Sequence, residues 1–277
     1  MAQINHSELT DIAHQLRINI LTMVHGAKCG HFGGPLSCID MLTGLYFHKL
    51  KYDPKNPRWE DRDRFVLSSG HMCAALYAVL AKKGVFSEDK LSGFRKMGSD
   101  LQGHPKFNLD LGIEMSTGSL GQGLSVSNGM ALAAKMDNKD YRVYSMETDG
   151  GTQEGMVWEG MMTAAHYKLD NRCVLFDLNN VQIDGYMSDV KDINPVGDKF
   201  RAFNWHVIEI DGHNMQEICA ALDEAETIKG KPTAIIGKTI LGKGVSIFEN
   251  KPQYHGVAPN DEEFATAMQE LQPKGAL

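Results

Sequence analysis

The sequence has few cysteines and no strongly basic segment. Only five of its 277 residues are cysteine, and no two of them form a CxxC pair. This spacing indicates neither a zinc site nor a disulfide framework, so we expect free thiols in a reducing compartment. The net charge is −7, and Lys and Arg are not clustered. Nucleic acid is therefore not an expected partner, because its recognition requires a concentrated positive surface.

Long apolar runs are also missing. None approaches the roughly 18 residues that a membrane span requires. The first eleven residues lack the basic flank and apolar centre of a signal peptide. We therefore predict no membrane association and a cytoplasmic location. The chain is nevertheless 42% hydrophobic, which is enough to bury the core of one large domain or two small ones.

Hydrophobic patterning predicts a single α/β domain over residues 1–277. Apolar residues recur at helical spacing between Leu9 and Met23, and a glycine-rich stretch at 30–37 is predicted to end that helix. Four short apolar runs resemble buried strands: Tyr141–Met146, Cys173–Phe176, Trp205–Ile210 and Thr233–Gly237. Helical patterns at Met156–Lys168 and Met215–Ile228 separate some of them. This alternation predicts a parallel sheet with helices on both faces. A loop-rich N-terminal region is expected to lie over the carboxyl ends of the strands.

Two polar segments follow neighbouring predicted strands. Asp149 comes after the first, and Asn179 comes after the next, thirty positions later. One strand–helix–strand crossover uses about that length, so both side chains should emerge side by side. Carboxylate, amide and backbone oxygens suit Mg²⁺, and Gly150 with Gly151 would let a diphosphate approach backbone N–H groups. Taken alone, these residues favour an ordinary Asp-Gly turn and an ordinary Asn-Asn loop over a binding site.

A resemblance to transketolases favours the functional interpretation. The segment from Thr148-Asp149-Gly150 to Asn179-Asn180 is similar to the fingerprint of thiamine diphosphate enzymes. Further stretches resemble transketolase motifs in the family's order: Asp61–His71, Gly103–Pro105, Thr117–Gly123, Gln153–Gly155, Gln182–Gly185 and His255–Gly256. The similarity covers roughly residues 8–270. Three positions depart from the family pattern, namely Thr148, Ser119 and Phe32, the last of which is expected beside the substrate channel.

The resemblance implies the diphosphate-binding domain of the thiamine diphosphate fold, with a divalent cation. Mg²⁺, or alternatively Ca²⁺ or Mn²⁺, would be bound by the side chains of Asp149 and Asn179 and by the Val181 carbonyl. The residues implied in binding the cofactor are His71, Gly118, Ser119, Leu120, Asp149, Gly150, Gly151, Asn179, Ile183 and His255.

The resemblance also assigns chemistry to the histidines, although an isolated histidine is more often a surface or core residue. His31, His104 and His255 would line the channel and bind the first hydroxyls of a donor sugar. His255 is the expected acceptor of the C3 hydroxyl proton. Glu154 is expected in an acidic network that links two active sites across a dimer interface, while its simple interpretation is a carboxylate favoured near a helix start.

Part of the family's active site is not found in this sequence. The glutamate that contacts the aminopyrimidine belongs to a pyrimidine-binding domain, which we expect on a separate C-terminal subunit within an α2β2 heterotetramer. A fragment of a longer enzyme is the alternative, and the start at Met1 with the end at Leu277 favours a complete subunit. The expected reaction transfers a two-carbon ketol unit from a ketose or ketose phosphate to an aldose. A 1-deoxyxylulose-5-phosphate synthase, a 2-oxoacid dehydrogenase component and a non-catalytic cofactor-binding subunit are the rival interpretations.

Overall fold

A five-stranded parallel sheet lies at the centre of the computed structural model, which describes residues 4–272. The strands in chain order are β1 (Arg64–Leu67), β2 (Val143–Thr148), β3 (Arg172–Leu178), β4 (Val181–Gln182), β5 (Gly185–Tyr186), β6 (His206–Asp211) and β7 (Thr233–Lys238). The order across the sheet is β1-β2-β3-β7-β6, and β4 pairs separately with β5. Every residue of β2 and β3 is buried, as expected for parallel strands that are covered on both faces.

Helices cover both faces of the sheet, as the sequence predicted. They are α1 (His6–Ala27), α2 (Gly33–Gly44), α3 (Cys73–Lys83), α4 (Gln122–Met136), α5 (Gly155–His166), α6 (Met187–Val190), α7 (Val196–Ala202), α8 (Met215–Thr227) and α9 (Asp261–Glu270). One apolar cluster joins α1, α2, α3 and α8 to one face. A second cluster joins α4, α5 and α7 to the other face. Among residues 4–272, no helix combines the length and apolar character that crossing a bilayer requires.

The N-terminal region differs from the prediction. It is mainly helical rather than loop-rich, and α1 to α3 pack against the sheet. Its connecting segments nevertheless reach the carboxyl ends of the strands, as predicted. The predicted break at 30–37 is also shorter than expected, because α2 already begins at Gly33. Pro35 is compatible with this start, since the first turn of a helix has no internal partner for its backbone N–H groups.

The pairing of β2 with β3 places the two predicted polar loops, which contain Asp149 and Asn179, next to each other. Strand β2 pairs with β3 so that Thr148 lies opposite Asp177. Asp149 and Asn179 therefore leave the sheet just beyond this pair, at the carboxyl ends of adjacent strands. In open α/β sheets this edge is where ligands bind.

Candidate active site

A cleft of about 250 Å³ opens at the carboxyl edge of the sheet. Its lining consists of His31, Gly34, His71, Met72, His104, Gly118, Leu120, Thr148, Asp149, Gly150, Gly151, Asn179, Val181, Gln182, Ile183 and His255. The structure thus brings together nearly all of the predicted site residues. Ser119 and Glu154 are both exposed, and neither lines the cleft.

Asp149 is held by the backbone of two loops. Its Oδ1 accepts a hydrogen bond from the N–H of Gly150 at 2.8 Å, and its Oδ2 accepts one from the N–H of Asn180 at 2.5 Å. Asn180 adopts a left-handed backbone conformation with φ of 61°, which asparagine tolerates better than most residues. The two loops therefore fix the direction of the carboxylate before any ligand binds.

Asn179 is oriented by a buried carboxylate that sequence reasoning did not identify. Its Nδ2 donates to Asp177 Oδ2 at 2.7 Å, and its Oδ1 accepts from the N–H of Val181 at 3.0 Å. Asp177 Oδ1 accepts from Ser37 Oγ and from Thr239 Oγ1, each at 2.7 Å. The only available sequence signal was an acidic residue inside an apolar strand.

The two neighbouring carboxylates of Asp149 and Asp177 suit a bound cation. Burial, and then the neighbouring Asp177, raise the pKa of Asp149 to about 7. Burial also raises the pKa of Asp177. Neither carboxylate forms an ion pair with any Lys or Arg in the described part of the chain. A divalent ion beside them would favour both charged forms and satisfy oxygen ligands of the type that Mg²⁺ prefers. Within residues 4–272 no cluster of three or more His, Cys, Asp or Glu could bind a metal, so amide and carbonyl oxygens would have to complete the ligand set.

Three histidines form a triangle over the cleft. Ring centroids are separated by 5.1 Å between His31 and His71, 5.7 Å between His31 and His255, and 5.2 Å between His71 and His255. Burial is the largest cause of the lowered pKa of each ring, followed for His31 and His71 by their histidine neighbours. The pKa falls to about 4 for His31 and to about 3 for His71. All three rings are therefore neutral near pH 7, where a neutral ring can accept a proton or a hydrogen bond.

His104 lies at the side of this triangle. Its pKa is lowered by burial and by the positive charge of Arg95. Nδ1 of His31 and Nδ1 of His255 are buried and have no hydrogen-bond partner within residues 4–272. Buried polar atoms normally have partners, so these two nitrogens are available to a ligand in the cleft.

Close contacts between glycines and facing loops hold the cleft walls together. A Cβ on Gly70 would lie 2.7 Å from the backbone of Thr117, and a Cβ on Gly123 would lie 2.5 Å from Ser68. A Cβ on Gly256 would lie 3.2 Å from the ring of His31. The absence of side chains at Gly70 and Gly123 lets the segment after β1 approach Thr117 and the start of α4, and Gly256 lets the segment before α9 approach His31.

Two of the three departures from the family pattern have a structural explanation. Thr148 is not in the left-handed region, and its Oγ1 accepts from the N–H of Gly151 at 3.2 Å. The threonine therefore fits this position and supports the loop at Gly150 and Gly151. Phe32 was expected beside the channel, but it is fully buried against Phe248, with ring centroids 4.7 Å apart. Aromatic packing thus draws its side chain into the core, while His31 and Gly34 on either side of it line the cleft.

Comparison with known proteins agrees with this geometry. The fold and the cleft define an α/β cofactor-binding domain with its site at the carboxyl edge of the sheet. Residues 9–274 match the family model described as the thiamine diphosphate binding domain of transketolase. The chain belongs to this family, and the predicted class of transketolase-type transferase is thereby confirmed.

Several relatives have similar length. A 6-deoxy-6-sulfo-D-fructose transketolase subunit from Clostridium sp. is 44% identical, over 96% of this chain and 98% of its own. One of the subunits of an apulose-4-phosphate transketolase from Phocaeicola vulgatus is 40% identical, over 92% of this chain and 90% of its own. The crystal structure of transketolase from Campylobacter jejuni superposes with a TM-score of 0.91 at 36% identity, covering 97% of this chain but 43% of that one. The chain therefore spans less than half of that transketolase.

Proposed function

We propose that this chain supplies the metal and diphosphate half of a transketolase active site. With a partner, it would transfer a two-carbon ketol unit from a ketose to an aldose. The observation that carries the proposal is the buried pair Asp149 and Asp177, which forms no ion pair with Lys or Arg within residues 4–272. Asp149 lines the cleft beside a glycine-rich loop, and Asp177 lies behind it.

The divalent ion, Mg²⁺ or alternatively Ca²⁺ or Mn²⁺, would be bound by Asp149, Asn179 and the carbonyl of Val181. Gly150 and Gly151 leave the diphosphate access to backbone N–H groups ahead of α5. When bound, thiamine diphosphate supplies the nucleophile and the electron sink for the carbon–carbon chemistry. The protein positions reacting groups and places polar atoms around them.

The histidines act on the sugar and on the cofactor tail. His71 and His255 are assigned to the diphosphate, and His31, His104 and His255 to the donor's first hydroxyl groups. His255 accepts the C3 hydroxyl proton while the donor is cleaved. Its neutral ring and its Nδ1, unpartnered among the described residues, support this role, because a general base must be unprotonated at the working pH.

The partner would contribute the pyrimidine-binding domain. Two of the similar proteins are described as transketolase subunits, which supports a divided enzyme. We further propose that two copies of this chain and two partners form an α2β2 assembly. The exposed position of Glu154, next to Gly121, suits a residue that meets another subunit. Ser119 and Gly118 would face the aminopyrimidine together with Leu120 and Ile183. We further propose that residues 1–277 act as one domain in the cytoplasm.

Reconstitution tests the proposal. The chain is co-expressed with a candidate C-terminal subunit, and ketol transfer is measured with ketose donors and aldose acceptors, each with and without Mg²⁺. Donor cleavage that depends on both subunits, on thiamine diphosphate and on the metal is the expected result. Activity with pyruvate and not with ketoses would favour the rival decarboxylating enzymes. Full activity of the double variant His104→Ala and His255→Ala would favour a non-catalytic subunit.

A further inference from the structure

Arg95 lies between the two segments that carry His31 and His104. A Cβ on Gly103 would be 2.7 Å from Arg95 Cζ, and a Cβ on Gly30 would be 3.6 Å from Arg95 Cδ. The arginine side chain therefore runs along the two glycines that immediately precede the two histidines. Because both positions are glycine, the Arg95 side chain can pack beside the two segments, and its charge acts on His31 and His104, which line the cleft.

The charge of Arg95 is not compensated within the described residues. No carboxylate oxygen in residues 4–272 lies within 4.0 Å of its guanidinium, and none of its side-chain N–H groups has a hydrogen-bond acceptor there. In contrast, Arg58 binds Asp110 through two contacts of 2.5 and 3.0 Å, and Arg62 binds Glu114 at 2.6 Å. Arg95 is also exposed, so its donors are open to a ligand.

The backbone around Arg95 is held in an uncommon conformation. Its φ is +56°, where glycine would be less strained than arginine. Its backbone N–H donates to the carbonyl of Leu101 at 2.9 Å, and Tyr77 donates to the carbonyl of Gln102 at 2.9 Å. The loop is thus closed on itself and attached to α3. Backbone strain of this kind often accompanies a functional side chain.

We propose that Arg95 recognises a terminal oxyanion, a phosphate or a sulfonate, on the sugar substrate. A planar guanidinium offers paired donors that match two oxygens of a tetrahedral anion, which an ammonium group does not. This proposal rests on the proposed function, since it assigns a substrate class to the same cleft. It gives this chain a direct part in reading the substrate's charged end.

Kinetics of the reconstituted enzyme test the assignment. Each donor is compared as its phosphate, its sulfonate and its uncharged form, in Arg95→Gln, Arg95→Lys and the neighbouring control Lys96→Gln. Hydrogen bonds to charged groups predict a fall in kcat/KM of about 10- to 100-fold for charged donors in Arg95→Gln. Arg95→Lys should lie between wild type and Arg95→Gln. The uncharged donor and the Lys96→Gln control should change little.

The falls in kcat/KM for charged and uncharged donors distinguish the possible roles of Arg95. An equal loss for charged and uncharged donors would show that Arg95 only positions the histidines, and an absence of loss would show that it does nothing in recognition. Either result overturns the proposal. The charged donor with the larger fall in kcat/KM shows whether the site prefers a phosphate or a sulfonate.

A second measurement does not depend on activity. The full chain is treated with phenylglyoxal in inorganic phosphate or in sodium chloride of equal ionic strength, and modification of Arg95 is followed by mass spectrometry. Selective protection of Arg95 by phosphate, with Arg58 as the internal control, is the expected result, and equal modification in both salts contradicts the proposal. Should the assembled enzyme transfer no ketol unit from any donor, the proposed function fails, while this protection still decides the role of Arg95.

Discussion

Replacement of Asp177 by asparagine should weaken metal-dependent cofactor binding although the residue itself does not line the cleft. In the native chain Asp177 accepts from Ser37, Thr239 and Asn179. An asparagine side chain offers one acceptor oxygen and one NH₂ donor group. If the oxygen stays with the two hydroxyls, the new NH₂ faces the NH₂ of Asn179.

Asn179 must then turn its amide over. The turn moves Oδ1 away from the N–H of Val181, its partner at 3.0 Å, and presents an NH₂ where a metal ligand is needed. One lost hydrogen bond with a buried donor left over costs about 1–3 kcal/mol. Loss of groups that orient metal ligands lowers affinity by roughly 10- to 100-fold. The two figures agree, and we expect a decrease in Mg²⁺-dependent affinity for thiamine diphosphate within that range.

Isothermal titration calorimetry of the assembled enzyme, with thiamine diphosphate and varied Mg²⁺, measures this effect. Circular dichroism verifies that Asp177→Asn is folded under the same conditions. Ser37→Ala is the matched control, because it removes one donor to Oδ1 and leaves the contact between Asp177 and Asn179 in place, so its affinity should change only slightly. Unchanged metal-dependent affinity in a folded Asp177→Asn protein would refute the reasoning.

Three further predictions concern the site and the core. Asp149→Asn should abolish Mg²⁺-dependent binding of thiamine diphosphate in the same titration, and near-native affinity would exclude Asp149 as a ligand. Gly70→Ala should lower cofactor affinity, and it should lower the free energy of unfolding in urea by about 1–3 kcal/mol, because its Cβ meets the facing backbone. The control is Gly129→Ala, which lies in open space on α4. It should be neutral or slightly stabilising. Asp40→Asn should cost about 3–5 kcal/mol of unfolding free energy, because the buried charge of Arg17 loses its carboxylate partner. Burial opposes the charged form of Asp40, but its ion pair prevails and lowers the pKa, so the destabilisation should be full at neutral pH and shrink as the pH falls through the folded pKa; a difference that grows in acid contradicts this account.

Four of the five strands of the central sheet were predictable, because each contains a short apolar run that helical patterns or polar segments separate from the next. The predicted strand at 141–146 and the observed β2 (Val143–Thr148) differ by two residues at each end. Strand β1 was not predicted, since it has only four residues and follows a charged segment. The early start of α2 was also missed, because Gly33 and Gly34 resemble a turn when their packing neighbours are unknown.

In the candidate site, too, some residues could be predicted from the sequence and others could not. Spacing along the chain was enough to place Asp149 beside Asn179, because parallel neighbouring strands end at one edge. Asp177 could not be recognised, since its partners Ser37 and Thr239 are 140 and 62 positions away. The convergence of the histidines came from family resemblance and not from local physics, because their loops have no periodic pattern.

The two sides of the cleft are attached to the fold in different ways. The paired strands β2 and β3 carry one side, and connecting segments carry the other. The residues proposed to bind the metal follow directly after hydrogen-bonded neighbouring strands, and the pairing of these strands sets their spacing. The histidines and Arg95 sit on separate connections that lie outside the hydrogen-bonded strands of the sheet. Variation in those connections could therefore redirect such an enzyme to another sugar while cofactor attachment is preserved. To obtain activity on new donors, the connections that carry the histidines and Arg95 should be varied, and the carboxyl ends of β2 and β3 should be kept.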